Sequence, residues 1–207
     1  MPVLIEGVRL RLRRSTPADA ADAFRIASHP EVMAYLDWPA HRSPADATAY
    51  LQGCVARWEA GTEYHWMVVE KAGEHVLGSI ACRVHGHAAD FGYLLAREAW
   101  GRGFGTEAVS LLVGWLQRQP EILRIWATTD IDNARSARVL VKAGLQQEGV
   151  MRLATWRPQQ GGLPRDTRLF AWVREAAGEG GDGRGGGGGD GGGRSSHTDP
   201  DTSTSSR

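Results

Sequence analysis

Residues 100–108, Trp-Gly-Arg-Gly-Phe-Gly-Thr-Glu-Ala, place three alternating glycines between a short apolar run, 91–95, and an amphipathic run, 104–117. Glycines in such a turn let the backbone curl tightly and leave its N–H groups uncovered. A helix starting there adds the positive end of its dipole, so the stretch suits a pyrophosphate. A second constellation follows at Asp132-Asn133-Ala134-Arg135-Ser136. Asn133 and Ser136 are three apart and project from one side of a first helical turn. Asparagine is a favoured helix cap. The serine hydroxyl can donate a hydrogen bond to a departing anion.

The elements that position these residues are readable in outline. Residues 8–13 alternate strictly, the period of a half-buried strand, with their arginines on the solvated face. Thr16-Pro17-Ala18-Asp19 and Ser43-Pro44-Ala45-Asp46 are helix starts with proline at the first position. They predict helices from Pro17 to about Ser28 and from Pro44 to Glu59, with a short segment, 31–36, between them. Strand-like runs at 65–70, 76–84 and 88–95 are separated by turn signals. The helix over 104–117 is followed by a strand over 122–129 and a helix over 134–143 that Gly144 terminates. Strands over 145–153 and 167–174 close the fold.

Composition sets outer limits. Lysine plus arginine (24) equals aspartate plus glutamate (24), so no net field draws nucleic acid or an anionic membrane. Cys54 and Cys82 lie far apart and read as reduced thiols of a cytoplasmic protein. His85 and His87 read as a solvated turn, and no metal site is expected. No signal peptide or spanning segment is apparent.

Three motifs compete for the glycine loop. A P-loop needs a lysine after its last glycine, where this chain has Thr106-Glu107. A dinucleotide fingerprint needs its third glycine one residue later, although Asp130 lies at a strand end where a ribose-binding acid would be wanted. The order of elements, β-α-α-β-β-β-α-β-α-β-β, is no strict βαβ alternation. Residues 100–105 resemble the third motif, the acyl-CoA loop Gln/Arg-x-x-Gly-x-Gly/Ala of the GNAT acyltransferases, with Trp100 in its first position. The longer string resembles the ribosomal-protein N-terminal acetyltransferase branch. Asn133 to Ser136 with Lys142-Ala143-Gly144-Leu145 and Glu148-Gly149 is similar to that family's Asn-x-x-Ser…Lys-x-Gly-Phe…Glu-Gly block, with Leu145 for phenylalanine.

The resemblance implies a mixed α+β domain over 1–177, with a central, mostly antiparallel sheet flanked by helices. In the family the sheet splays between its fourth and fifth strands, and the pantetheine of acetyl-CoA, the co-substrate, lies in the gap. It implies that Arg102, Gly103, Phe104, Gly105 and Thr106 hold the pyrophosphate, that Leu94 and Leu95 pair with the pantetheine, and that Asn133 assists. Ser136 would serve the departing thiolate. Asp90, where family members often carry glutamate, would be a general base working through a water. Trp38, in the loop between the first two helices, would wall the acceptor site. The acceptor implied is a primary amine, a protein N-terminal α-amine before a small molecule, attacked directly by a monomer or homodimer. A binding module without turnover and a nucleotide-dependent oxidoreductase remain as alternatives.

Residues 178–207 are mostly glycine, aspartate, serine and threonine with no large apolar side chain, and are expected to form a disordered tail. A chain shortened to end at Ala177 should therefore keep its melting temperature and activity, and a large loss of either in thermal unfolding or turnover would contradict this.

Overall fold

The alternation at residues 10–14 becomes strand β2 (Leu10–Arg14), with Leu10 and Leu12 fully buried and the arginines half-exposed. A strand not foreseen in the sequence, β1 (Leu4–Glu6), pairs antiparallel with it. Three residues are too few for a period to register; the Gly7 N–H bonded to the Leu10 carbonyl at 2.8 Å turns the chain back. The computed structural model describes residues 1–175, and the tail expected at 178–207 lies outside the described residues.

The remaining strands are β3 (Tyr64–Glu70), β4 (His75–His85), β5 (Ala88–Leu95), β6 (Arg124–Asp130), β7 (Gln146–Thr155) and β8 (Arg165–Val173). They form one eight-stranded sheet in the order β1-β2-β3-β4-β5-β6-β8-β7. Every neighbouring pair is antiparallel except β5 with β6. That parallel pair registers only Ala88, Ala89 and Asp90 against Arg124, Ile125 and Trp126. Beyond Asp90 the two strands part, and the expected splay is present between β5 and β6.

Helices cover both faces. The helix expected from Pro17 opens as a 3₁₀ turn, Pro17–Asp19, and continues as α1 (Ala20–Ala27). Pro30 both ends that helix and starts a single turn, α2 (Pro30–Met33), because proline is tolerated at a first helical position. α3 (Pro44–Glu59) has Ser43 and Asp46 as a reciprocal capping box. α4 (Phe104–Gln117) and α5 (Ala134–Lys142) complete the set. Side chains alternate across β3: Trp66 and Val68 pack with Phe104 and Leu112, while Met67 and Val69 pack with Ile26, Met33 and Leu51. No helix among the described residues is long and apolar enough to cross a membrane.

A histidine is sealed inside without polar partners among the described residues. His65 on β3 is 2% exposed, stands edge-on to Tyr50 at 5.6 Å, and has no partner among the described residues for either ring nitrogen. Burial, with the nearby Arg57 charge, pushes its pKa down to about 4. His41 is shifted in the same direction, also by burial. The unfolded chain takes up the His65 proton near pH 6.5, whereas the folded chain resists it to about 4, so stability present above that range is lost as the pH falls. Urea unfolding should show about 2 kcal/mol less stability at pH 5 than at pH 7 from this residue. The difference should shrink by that amount in His65→Phe; an unchanged pH dependence would contradict the assignment.

Candidate active site

Gly103 is the N-cap of α4 and takes φ of +81°, a left-handed conformation that a β-carbon would strain. The chain enters the helix with no side-chain cap, and among the described residues the N–H groups of Phe104, Gly105 and Thr106 have no acceptor. Gly101, Gly103, Gly105 and Thr106 line a cleft of about 940 Å³. Its other walls are Tyr93, Leu94 and Leu95 of β5, the first turns of α5, and Glu31 to Leu36 around α2.

The side chains of Arg102 and Phe104 point elsewhere. Phe104 is 2% exposed, with the guanidinium of Arg9 4.5 Å and that of Arg102 4.7 Å from its ring centre. Neither residue is among those that line the cleft, and the Arg102 carbonyl already accepts from Arg9 Nη1 at 3.1 Å. Glu107 fixes the loop in place. Its carboxylate accepts the N–H groups of Arg9 (2.8 Å) and Leu10 (3.1 Å) and the Arg9 Nε (2.8 Å). Burial pushes that carboxyl up, but these donors outweigh it and hold it below the usual carboxylate range.

At the splayed end of β5 the backbone is selective. The Ala96 N–H donates to Leu77 on the β4 side, whereas the Leu95 carbonyl accepts from Trp100 Nε1 at 2.9 Å. Strand alternation then turns the N–H groups of Tyr93 and Leu95 toward the gap and that of Leu94 toward β4. Gly78, opposite Leu95, allows this close approach: a β-carbon there would lie 2.2 Å from the Leu94 oxygen.

On α5, Asn133 Oδ1 caps the helix by accepting the Ser136 N–H at 3.1 Å, and both residues line the cleft. The Tyr93 hydroxyl donates to Ser136 Oγ at 3.1 Å. Burial pushes the Tyr93 phenol up to about 12, against a smaller opposing effect of Ser136, so it stays a neutral donor.

Asp90 and Trp38 are likewise not brought to this cleft. Asp90 lies where β5 and β6 are still paired, and its carboxylate accepts from Arg83 Nε at 2.9 Å with His85 Nε2 at 3.4 Å. Trp38 stacks on Tyr50 at 5.4 Å and lines a separate cavity of about 20 Å³ with His41 and His65; Leu94 borders both spaces. Asp130, the acid a dinucleotide site would need, is also occupied. Arg165 Nε (2.8 Å), Arg157 Nε (3.4 Å) and the Asp132 N–H (3.0 Å) surround its fully buried carboxylate. No group of three or more potential metal ligands is present among the described residues.

An acetyltransferase (GNAT) domain family matches residues 9–146. The chain belongs to the GNAT acetyltransferases. A relative 30% identical over 174 residues is the uncharacterized N-acetyltransferase YoaA of Bacillus subtilis (strain 168); the match covers 83% of this chain and 97% of YoaA. The fold is similar to RimL, a ribosomal L7/L12 alpha-N-protein acetyltransferase solved with coenzyme A, at a TM-score of 0.73 and 20% identity over 82% of this chain and 97% of RimL. It is similar also to Mycobacterium smegmatis RimJ solved with a CoA-disulfide, at 0.74 and 21% over 83% of this chain and 88% of RimJ.

Four further residues of this GNAT enzyme contribute to the site without a signal in the sequence. Tyr93 reads as one more strand aromatic, and only the splay gives its hydroxyl a task. Glu107 reads as an ordinary acid in the first turn of a helix. Gln159 and Gln160 sit in an irregular loop, yet their amides donate to the carbonyls of Met33 (2.8 Å), Trp38 (2.9 Å) and Ala34 (2.7 Å), tying the β7–β8 loop to the wall around α2.

Removing the Glu107 carboxylate strands two backbone donors, so Glu107→Ala should cost about 2 kcal/mol in urea unfolding. Glu107→Gln should recover part of that, since an amide oxygen accepts but does not pair with Arg9. Unchanged stability in the alanine variant would contradict the clamp.

Proposed function

We propose that the enzyme transfers the acetyl group of acetyl-CoA to a primary amine by direct attack, a protein N-terminal α-amine being favoured over a small molecule. The observation that carries this is the set of unpartnered N–H groups at the start of α4, opening into a cleft that leads to the splayed end of β5 and the Tyr93–Ser136 pair. A negatively charged pyrophosphate fits those N–H groups and the dipole behind them. The gap-facing N–H groups of β5 fit an extended amide-bearing arm such as pantetheine. The co-substrate supplies an activated acyl group as a thioester.

The chain's own residues then have separate tasks. Residues 103–106 hold the diphosphate through the backbone, and Asn133 fixes the first turn of α5 so that Ser136 faces the cleft. The Leu95 or Tyr93 N–H is placed to donate to a carbonyl oxygen that gains negative charge. Ser136, itself receiving a hydrogen bond from Tyr93, donates to the departing sulfur.

With Asp90 bound to Arg83, no carboxylate of the described residues is assigned as base. The acceptor must then arrive neutral: its nitrogen forms the new N–C bond as the C–S bond breaks, and the proton it sheds ends, through water, on the departing thiolate. An α-amine of pKa ~8 is about one-tenth neutral at pH ~7, whereas a lysine ε-amine is below roughly one in a thousand. This favours α-amines. Turnover of acetyl-CoA with a panel of N-terminal peptides and small amines identifies the acceptor, and a preference for lysine side chains would contradict the reading.

A contact to sulfur strengthens as charge develops there, so its loss lowers kcat more than binding. Such a hydrogen bond is worth about 1.5–3 kcal/mol, and Ser136→Ala should slow turnover by roughly ten- to a hundredfold with little change in acetyl-CoA affinity. Tyr93→Phe should act in the same direction, and the double variant should lose less than the two added together. Full activity in Ser136→Ala would remove the serine from the mechanism.

A further inference from the structure

Leu95 carries two polar backbone groups, and strand alternation turns both toward the gap between β5 and β6. Its carbonyl is taken, because the indole Nε1 of Trp100 donates to it at 2.9 Å. The next N–H, that of Ala96, points the other way and donates to the Leu77 carbonyl on β4 at 2.8 Å. The peptide group joining Leu95 to Ala96 is therefore pinned at both ends. What Leu95 leaves to the cleft is its N–H alone.

Trp100 is itself held in place. It is half-buried, packs against both core layers and lines the cleft. The guanidinium of Arg97 lies 5.0 Å and that of Arg135 4.9 Å from its ring centre, and an indole attracts such cations through its ring face. Arg135 stands in the first turn of α5, next to Ser136, and Gly101 follows Trp100 into the glycine loop. One side chain thus connects the end of β5, the turn that carries Ser136 and the start of the loop. A bare Leu95 carbonyl would set a negative oxygen beside the Leu95 N–H, where a thioester oxygen gaining charge must also sit. Pairing that carbonyl removes the repulsion and fixes the direction of the N–H before any ligand arrives.

Resting on the reading of the cleft as an acetyl-CoA site, we propose that Trp100 is a positioning residue for the transfer. By occupying the Leu95 carbonyl it makes the end of β5 a donor-only edge and aims the Leu95 N–H at the thioester oxygen. The indole needs no contact of its own with the reacting atoms.

Two full-length variants without the indole N–H test this. One is Trp100→Phe; the other carries 3-benzothienylalanine at position 100, which keeps the two-ring shape with sulfur in place of the N–H and so preserves the packing should phenylalanine not. With the best acceptor of the peptide and amine panel, kcat should fall by roughly ten- to a hundredfold, up to the range for losing an oxyanion donor outright. Acetyl-CoA affinity by titration calorimetry should change by no more than about threefold, since the contact matters most when charge develops. The infrared carbonyl stretch of bound, carbonyl-labelled acetyl-CoA reads the same contact without turnover. It should lie below that of free acetyl-CoA in the wild type and move back toward it in both variants. An unshifted stretch in the wild type, or full kcat in the benzothienyl variant, would overturn the proposal. A loss confined to acetyl-CoA affinity would also overturn it and make Trp100 a wall of the cleft only. Failure of the wild type to bind acetyl-CoA would instead overturn the acetyl-CoA reading itself.

Discussion

The parallel ladder between β5 and β6 stops after Asp90, and the geometry of the cleft follows from where it stops. Buried backbone donors and acceptors must be paired, so a sheet opened in its middle needs other partners for its inner edges. β6 remains paired with β8 through Asp130, while β5 continues to Leu95 paired only with β4. Part of the freed edge is satisfied internally, as Trp100 donates to the Leu95 carbonyl. The rest faces the cleft, beside a helix whose first N–H groups are also without partners. Two sets of backbone donors thus converge on one space, and the cost of leaving them unpaired is recovered when a ligand with oxygens to offer binds there.

Carboxylates in this enzyme act mainly as clamps. Asp19 takes Arg13 and the Thr16 N–H, Glu107 takes the start of β2, Asp90 takes Arg83, and Asp130 takes Arg157 and Arg165. Glu107 and Asp130 draw distant segments against the sheet, Asp90 and Asp19 tie neighbouring ones, and each is thereby withdrawn from the cleft. What remains at the cleft is a preponderance of positive charge within a neutral molecule. Electrostatic attraction is consequently local, concentrated where the backbone donors already point.

Much of this was legible in the residues. The glycine loop, the serine-proline-aspartate start of α3 and the alternation of β2 each carry a local signal strong enough to survive in three dimensions. The order of strands was not legible, since no period tells β8 to lie between β6 and β7. The fate of Asp90 and Asp130 was hidden for a similar reason. Their partners stand 7 and 35 residues away, at Arg83 and Arg165, and a carboxylate looks the same in sequence whether free or clamped. Trp38 likewise found its stacking partner in Tyr50 on the next helix. Tyr93 was the opposite case, an apparent packing residue given a polar task by the open strand edge.

The central claim is that unpartnered backbone N–H groups on two elements form one receptor for a phosphorylated thioester. Amide chemical shifts in an NMR titration with coenzyme A observe those groups directly. The account predicts large shifts at Phe104, Gly105 and Thr106 together with Leu95, and little at Asp90 or Asp130. Shifts centred on Asp130, or none at the start of α4 under saturation, would contradict it.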